Sequence, residues 1–445
     1  MKKEDEYISQ LNRIWSENRK HPGFQYFTDV MFDWYLDFFE HRRTYPVVVL
    51  GSGIPLEPVM SLGVRPLFLL GGSHETCRWS EELVPRDTDP VSRSILGYLH
   101  NPGSPDFTDT LFIVPLVCDS MRKIAYLLKE EGRKVFPLDI PPVHSNDFSI
   151  QKWHRQADLL AEALEDHLCR GIKEKELRRN VRLITRARGC LYEFLKMASE
   201  HEDCISGSAR MLVQNSFYCA KDLESWTQSL KQLTKEILGF PGKRTAGFGS
   251  SGFNQSSFGT SGFSPAAFSQ SAFSTSGFSP AASDMRPRIL LMGSPVFFPG
   301  YKIPFLLEET GLCIWRNLDA STVPFQMPPG ISGARGLRKL LRSGAASWYY
   351  ADASSAYIVN DSMRSLTATL AESSVIDGVV FHVLKGQVEP DFELGYYEEF
   401  FAERGIPSFR LETDYQYQDI EQLRIRMEAF REMLVHNRLK KEKAV

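Results

Sequence analysis

The chain has 445 residues, with 52 basic and 55 acidic side chains and a formal net charge of −3. That near-balance offers no electrostatic footprint for nucleic acid or for an anionic membrane surface, and no apolar run approaches the ~20 residues of a membrane span. Seven cysteines (77, 118, 169, 190, 204, 219 and 313) are scattered, odd in number and without a CxxC pair. This excludes a disulfide scaffold and a zinc ribbon, and reads as reduced thiols in a cytoplasmic protein. The first residues, Met1-Lys-Lys-Glu-Asp-Glu-Tyr7, lack the apolar segment of a signal peptide.

At roughly 100–200 residues per domain the length allows two or three domains. Residues 1–45 are expected to be N-terminal helices, because Phe27, Val30, Met31, Trp34, Tyr35 and Phe38 recur at the 3–4 spacing of a buried helical face. From residue 46 to 150 the pattern changes to short apolar strands, each ending in a turn or a polar pair. Pro46–Leu50 runs into Gly51-Ser-Gly53, Pro66–Leu70 into Gly71-Gly72, Thr110–Leu116 into Cys118-Asp119, and Lys134–Leu138 into Asp139-Ile-Pro-Pro142. Strands without polar alternation, separated by helix-length segments, predict a parallel sheet covered on both faces. Cys118 stands at a strand end just before a helix-like stretch from Ser120 to Leu128, the place where an open parallel sheet binds ligands. The pair Gly51 and Gly53 lacks the third glycine of a dinucleotide fingerprint and reads as a tight turn.

Residues 151–240 read as a helical connector, with Leu159, Leu160, Ala163, Leu164 and Leu168 on one stripe and Leu223, Trp226, Leu230, Leu233 and Ile237 on another. Between them Arg170, Lys173, Lys175, Arg178, Arg179, Arg182, Arg186 and Arg188 form a basic run. It reads as a solvated helix face, or as a contact for an acidic partner or for the phosphates of coenzyme A. Residues 241–285 are a low-complexity tract in which Phe248, Phe253, Phe258, Phe263, Phe268, Phe273 and Phe278 recur every five residues. Composition favours a Gly/Ser linker over a stacked coil, since a pentapeptide coil needs several turns to bury its core. Residues 286–445 open on Arg288-Ile-Leu-Leu-Met292 and form a second α/β domain, closing on an amphipathic helix from about Asp419 to Leu439. The expected fold class is therefore α/β: two Rossmann-like parallel-sheet domains, a helical connector, and the phenylalanine-repeat insertion. Such a pair of domains places a site in the cleft between them.

Several segments in order resemble the 2-hydroxyacyl-CoA dehydratase family, which includes the cluster-bearing subunits of benzoyl-CoA reductase. Ile54–Gly63 is similar to the family's early Pro-x-Glu segment, and Asp89-Pro-Val-Ser-Arg-Ser-Ile-Leu-Gly97 to its Cys-Pro-x-x-Arg-Ser-x-x-Gly motif. Val117-Cys118-Asp119 matches its second cysteine, and Leu138-Asp-Ile-Pro141 follows it. Cys204-Ile-Ser-Gly207, Arg286–Pro295, Asp377–Lys385, Gly405–Asp414 and Leu423–Phe430 continue the pattern. The resemblance implies a subunit that acts on an acyl-CoA thioester by one-electron, ketyl-radical chemistry, as a dehydratase-type lyase or a reductase. It implies a [4Fe–4S] cluster held by three cysteine thiolates, a sister subunit in a dimer, an ATP-dependent activator protein and an anaerobic setting.

The cysteine pattern departs from that family at two points. Asp89 stands at the first cluster position and Gln387 at the third, so Cys118 alone is a metal-ligating thiol of the family set. Cys77, twelve residues before Asp89, is a candidate second thiolate. The cofactor-binding candidates are thus Cys118, Asp89, Gln387 and Cys77. Glu57 is the catalytic candidate, as a possible acid/base group or a helix-terminal carboxylate. Arg93, His382 and Lys385 are the substrate-binding candidates, and the Gly-Ser pairs at 51–52 and 293–294 offer backbone N–H groups. Two readings stay open: an enzyme subunit with an altered cluster, or with the cluster in its sister, and a cluster-less paralogue serving as a structural or substrate-binding partner.

Overall fold

The computed structural model describes residues 5–144, 146–240 and 286–444, apart from 327–328, 331–332, 353–354, 356, 359 and 374. The phenylalanine-repeat tract, residues 241–285, lies outside the described residues. Among those described, the first sheet holds β1 (Val47–Leu50), β2 (Leu67–Leu69), β3 (Leu111–Pro115) and β4 (Lys134–Leu138). The second holds β5 (Arg288–Gly293), β6 (Cys313–Asp319), β7 (Gly378–Leu384) and β8 (Ser408–Thr413). All pairings are parallel, in the order β2-β1-β3-β4 and β6-β5-β7-β8. Two parallel-sheet α/β domains are thus observed, as the strand pattern predicted.

The uninterrupted apolar runs explain why these sheets are buried on both faces. Every residue of β1 has no exposed surface, and Val379, Val380 and Phe381 of β7 have none either. Each such side chain contributes roughly 1.5–3 kcal/mol by leaving water, which suits a central strand with helices on either side. Four helices, Asp147–Leu168, Glu174–Glu200, Gly207–Cys219 and Leu223–Gly239, make the connector. The predicted stripe Leu223, Trp226, Leu230, Leu233 and Ile237 is fully buried. At the N-terminus the helices Glu6–Asn18 and Gln25–Tyr35 bury Phe27 and Met31 as expected.

Arg188 leaves the basic run to which its sequence neighbours belong. It is 2 % exposed, stacks over the Trp348 ring at 4.1 Å, and donates to Ser347 and to the Pro324 carbonyl. Lys175, Arg178, Arg179, Arg182 and Arg186 instead line an open groove on the outer face of the same helix. Helical periodicity separates them: position 188 points to the core while 175, 178, 179, 182 and 186 share the outer stripe.

In both sheets the chain passes from the central strand to one side and then to the other, so each has a topological switch point, between β1 and β3 and between β5 and β7. Ligands settle outside the strand ends at such points. The two switch points face each other, and backbone contact at glycines sets their separation. A Cβ on Gly72, at φ +92°, would lie 2.4 Å from the Phe297 carbonyl oxygen. One on Gly386, at φ +86°, would lie 2.5 Å from the Asp87 carbonyl oxygen. The helix Leu337–Ala351 adds side-chain bonds to the connector helix Asp147–Leu168, where Arg338 and Arg342 pair with Asp158 and Trp153 donates to the Ala345 carbonyl at 2.9 Å. Replacing Gly72 by alanine is expected to cost about 2–3 kcal/mol, through both the left-handed backbone and the carbonyl clash. A chemical-denaturation midpoint unchanged from the parent would show that the two halves are not held by this contact.

Candidate functional site

A cavity of about 380 Å³ opens where the two switch points meet. From the first domain it takes the end of β1 (Leu50 to Gly53) and the end of β3 (Pro115, Val117, Cys118); from the second, Pro295, Phe297 and the loop Gly386–Gln387 after β7. Its walls are largely apolar.

Three helices begin at this cavity. Asp89 is the N-cap of Pro90–His100, Cys118 of Asp119–Glu130, and Gln387 of Val388–Glu403. The three positions that match cluster cysteines, 298 residues apart at the extremes, therefore converge on one space. Convergence has a simple cause: a parallel strand must be followed by a turn into a helix on the sheet face, so strand ends and helix starts gather at one edge.

The local bonding of the three differs. Asp89 is 3 % exposed, and its Oδ1 accepts from the Ser92 N–H at 3.0 Å, the bond expected of an aspartate N-cap. The same oxygen accepts from Gln387 Nε2 at 3.4 Å, tying the two domains together. Its other oxygen, Oδ2, is buried without a hydrogen-bond donor, and so is Oε1 of Gln387. Burial pushes the Cys118 thiol up to about 12, and the Asp89 and Glu389 carboxylates push the same way, against the backbone N–H groups of Met121 and Ser120.

A [4Fe–4S] cluster with an open iron needs three thiolates around it. Here one protonated thiol stands beside a carboxylate and a neutral amide that bond to each other. Amide oxygen is a poor ligand for iron in a sulfide cluster, and the buried carboxylate already caps a helix. Among the described residues there is no group of three or more His, Cys, Asp or Glu side chains placed to hold a metal ion. This donor set does not fit the cluster.

The remaining candidates lie elsewhere. Cys77 is buried, its thiol points at the backbone carbonyls of Ser73 (3.3 Å) and Pro90 (3.7 Å), and burial pushes it up to about 12. It sits one layer behind Asp89 and does not line the cavity. Glu57 opens the short helix Glu57–Ser61 and is 2 % exposed, accepting from Trp348 Nε1 at 3.1 and 3.2 Å. Burial raises its pKa, against its own backbone N–H, Arg188 and Trp348, and it too is outside the cavity lining. Arg93, its side chain 12 % exposed, reaches Glu81 at 3.8 Å and donates to the Arg86 carbonyl at 3.4 Å rather than pairing with Asp89. His382 lies inside β7, where burial holds it down to about 3, so it is neutral; Lys385 is exposed just past the C-terminal end of the same strand and does not line the cavity. Gly51 and Ser52 reach the cavity, but the Gly51 N–H is spent on the Leu69 carbonyl at 2.8 Å. Ser294 is bonded into the sheet through His382 and Leu384.

Sequence reasoning missed Phe297, Asp352, Glu389 and Phe392, all of which line the cavity. Glu389 and Phe392 carried a weak signal, as they follow Gln387 by two and five residues. Phe297 and Asp352 carried none, since only the domain packing brings them in.

The raised thiol pKa has a direct readout. At pH 8 only on the order of one Cys118 in ten thousand is thiolate, so its alkylation by iodoacetamide is expected to run roughly a thousandfold slower than that of a free thiol and to rise with pH up to about 12. An Asp89→Asn variant keeps the helix cap and is expected to react faster. Peptide mass spectrometry of timed aliquots gives both rates; labelling of Cys118 as fast as that of the exposed Cys169 would contradict the assignment.

The family model described as 2-hydroxyglutaryl-CoA dehydratase, D-component, matches residues 52–434. The chain is 24% identical over 385 residues to YjiM of Escherichia coli (strain K12), provisionally named a dehydratase subunit, covering 86% of this chain and 89% of that one. It is 25% identical over 192 residues to the beta subunit of (R)-2-hydroxyglutaryl-CoA dehydratase from Acidaminococcus fermentans, covering 42% of this chain and 50% of that one. With the match running from just past β1 through β8 and taking in all three helix caps of the cavity, the chain belongs to the 2-hydroxyglutaryl-CoA dehydratase D-component family.

Proposed function

We propose that this chain is the cluster-less subunit of a 2-hydroxyacyl-CoA dehydratase-type enzyme, holding the acyl part of a coenzyme A thioester in the cavity between its two domains. The observation that carries this reading is the Asp89–Gln387 hydrogen bond, which occupies two of the three family ligand positions with groups bonded to each other. Electron chemistry then belongs to a sister subunit, and an ATP-dependent activator serves that subunit rather than this one.

What this chain's residues contribute is binding and exclusion of water. Val91, Val117, Met121, Phe297 and Phe392 give the acyl group apolar walls. A dry, shaped site strengthens each polar contact within it. No helix among the described residues is long and apolar enough to cross a membrane, which is compatible with a coenzyme A ester met in water.

The test is metal content. Protein purified under strict anaerobiosis, and given iron and sulfide for reconstitution, is expected to carry no iron, no acid-labile sulfide and no EPR signal after reduction. About four irons per chain, lost in a Cys118→Ala variant, would overturn the proposal.

A further inference from the structure

The open groove on the connector is a second concave surface, lined by none of the residues of the inter-domain cavity. It lies between the helices Glu174–Glu200 and Leu223–Gly239 and holds about 610 Å³. Five cations, Lys175, Arg178, Arg179, Arg182 and Arg186, line it against two carboxylates, Glu174 and Glu224. The whole chain carries a net −3, so this positive excess is local.

The stability of the helix does not account for it. Lys175 with Arg179, Arg178 with Arg182, and Arg182 with Arg186 are like charges four residues apart, each of which disfavours the helix. Lys175 also stands in the first turn, where the macrodipole disfavours a cation. Arg178 pairs with Glu174, and Arg179 lies 3.9 Å from Glu176. Lys175, Arg182 and Arg186 are exposed, and among the described residues no carboxylate stands within ion-pair distance of them.

Their placement describes what would pair with them. Lys175, Arg179, Arg182 and Arg186 follow one another by four, three and four residues, which keeps them in one line along the helix. From 175 to 186 that line runs about 16 Å, at 1.5 Å per residue. A compact phosphate reaches one or two of these side chains. A second helix laid alongside, with carboxylates at the same spacing, reaches all four. Arginine forks suit carboxylates bidentately, and half-buried Leu183 between them offers the apolar seat that helix-in-groove recognition uses.

We infer that this groove receives an acidic amphipathic helix of a partner protein, its carboxylates on the cationic stripe and an apolar side chain on Leu183. The inference is independent of the acyl-binding reading, and neither outcome below bears on that reading.

Two labelled peptides of about 18 residues, five helical turns, test this by fluorescence anisotropy on the full-length protein. One carries glutamates spaced four, three and four with leucines on the same face; the other has the same composition with the glutamates spread round the helix. At about 50 mM salt the first is expected to bind about tenfold more tightly than the second, and to weaken about tenfold at about 200 mM, because exposed charges are screened. Arg182→Glu with Arg186→Glu should abolish the difference between the peptides, and Arg182→Gln with Arg186→Gln should reduce it. Both positions are exposed, so the melting curve should not move. Lys123→Glu with Lys129→Glu makes the same charge reversal at exposed positions of the helix Asp119–Glu130 and should leave binding unchanged. No binding, equal binding of the two peptides, or equal loss in the two reversed variants overturns the inference. So does a DNA duplex, or coenzyme A, that displaces the matched peptide at a lower concentration than unlabelled peptide does.

Discussion

Backbone laid against backbone at Gly72 and Gly386 sets the spacing on which the site depends. At both positions a carbonyl oxygen of the opposite domain stands where a side chain would begin, and both have positive φ, which glycine adopts without strain. Two parallel sheets so placed present their carboxyl ends to one another, and with them the N-termini of the helices that follow each strand. The cavity is therefore a consequence of topology and of two missing Cβ atoms, before any chemistry is added. Side-chain volume anywhere along this contact would open the cleft to water.

The chemistry then depends on what stands at three helix caps. An aspartate there satisfies the first turn of its own helix, and one glutamine amide reaches across the domain boundary to share the same oxygen. Such a pair is self-sufficient at one end and unsatisfied at the other, since one acceptor on each residue has no donor. Beside it a thiol is held protonated by burial and by carboxylates. The arrangement suits a neutral polar group better than an ion.

A second buried polar node lies behind the site. Glu57 of the first domain, Trp348 of the helix Leu337–Ala351 and Arg188 of the connector meet with almost no solvent exposure. Buried carboxylate and guanidinium are each costly alone, and here burial pulls the Arg188 pKa down to about 10 while raising that of Glu57. Mutual proximity offsets part of that cost. The node fixes how the helical connector and the second domain seat on the first, and so how far Asp352, just past the same helix, reaches into the cavity.

Much of this was legible in the chain itself. Runs such as Val47-Val-Val-Leu50 and Gly378-Val-Val-Phe-His-Val-Leu384 could only be strands buried on both faces, because period-two alternation is absent from them. Their order fixed two parallel sheets, and the strand end before a helix marked Cys118 as a ligand-side position; Asp89 and Gln387 came instead from the resemblance to the family's cysteine positions. Local pattern could not say that Glu57, Cys77 and His382 turn into packed layers, that Arg93 reaches for Glu81, or that Arg188 leaves its basic neighbours for the core. Those outcomes depend on which face of each element meets another, a property of contacts between segments far apart in sequence. The tertiary structure alone decided that an aspartate and a glutamine 298 residues apart share a hydrogen bond at the mouth of the cavity that Cys118 also lines.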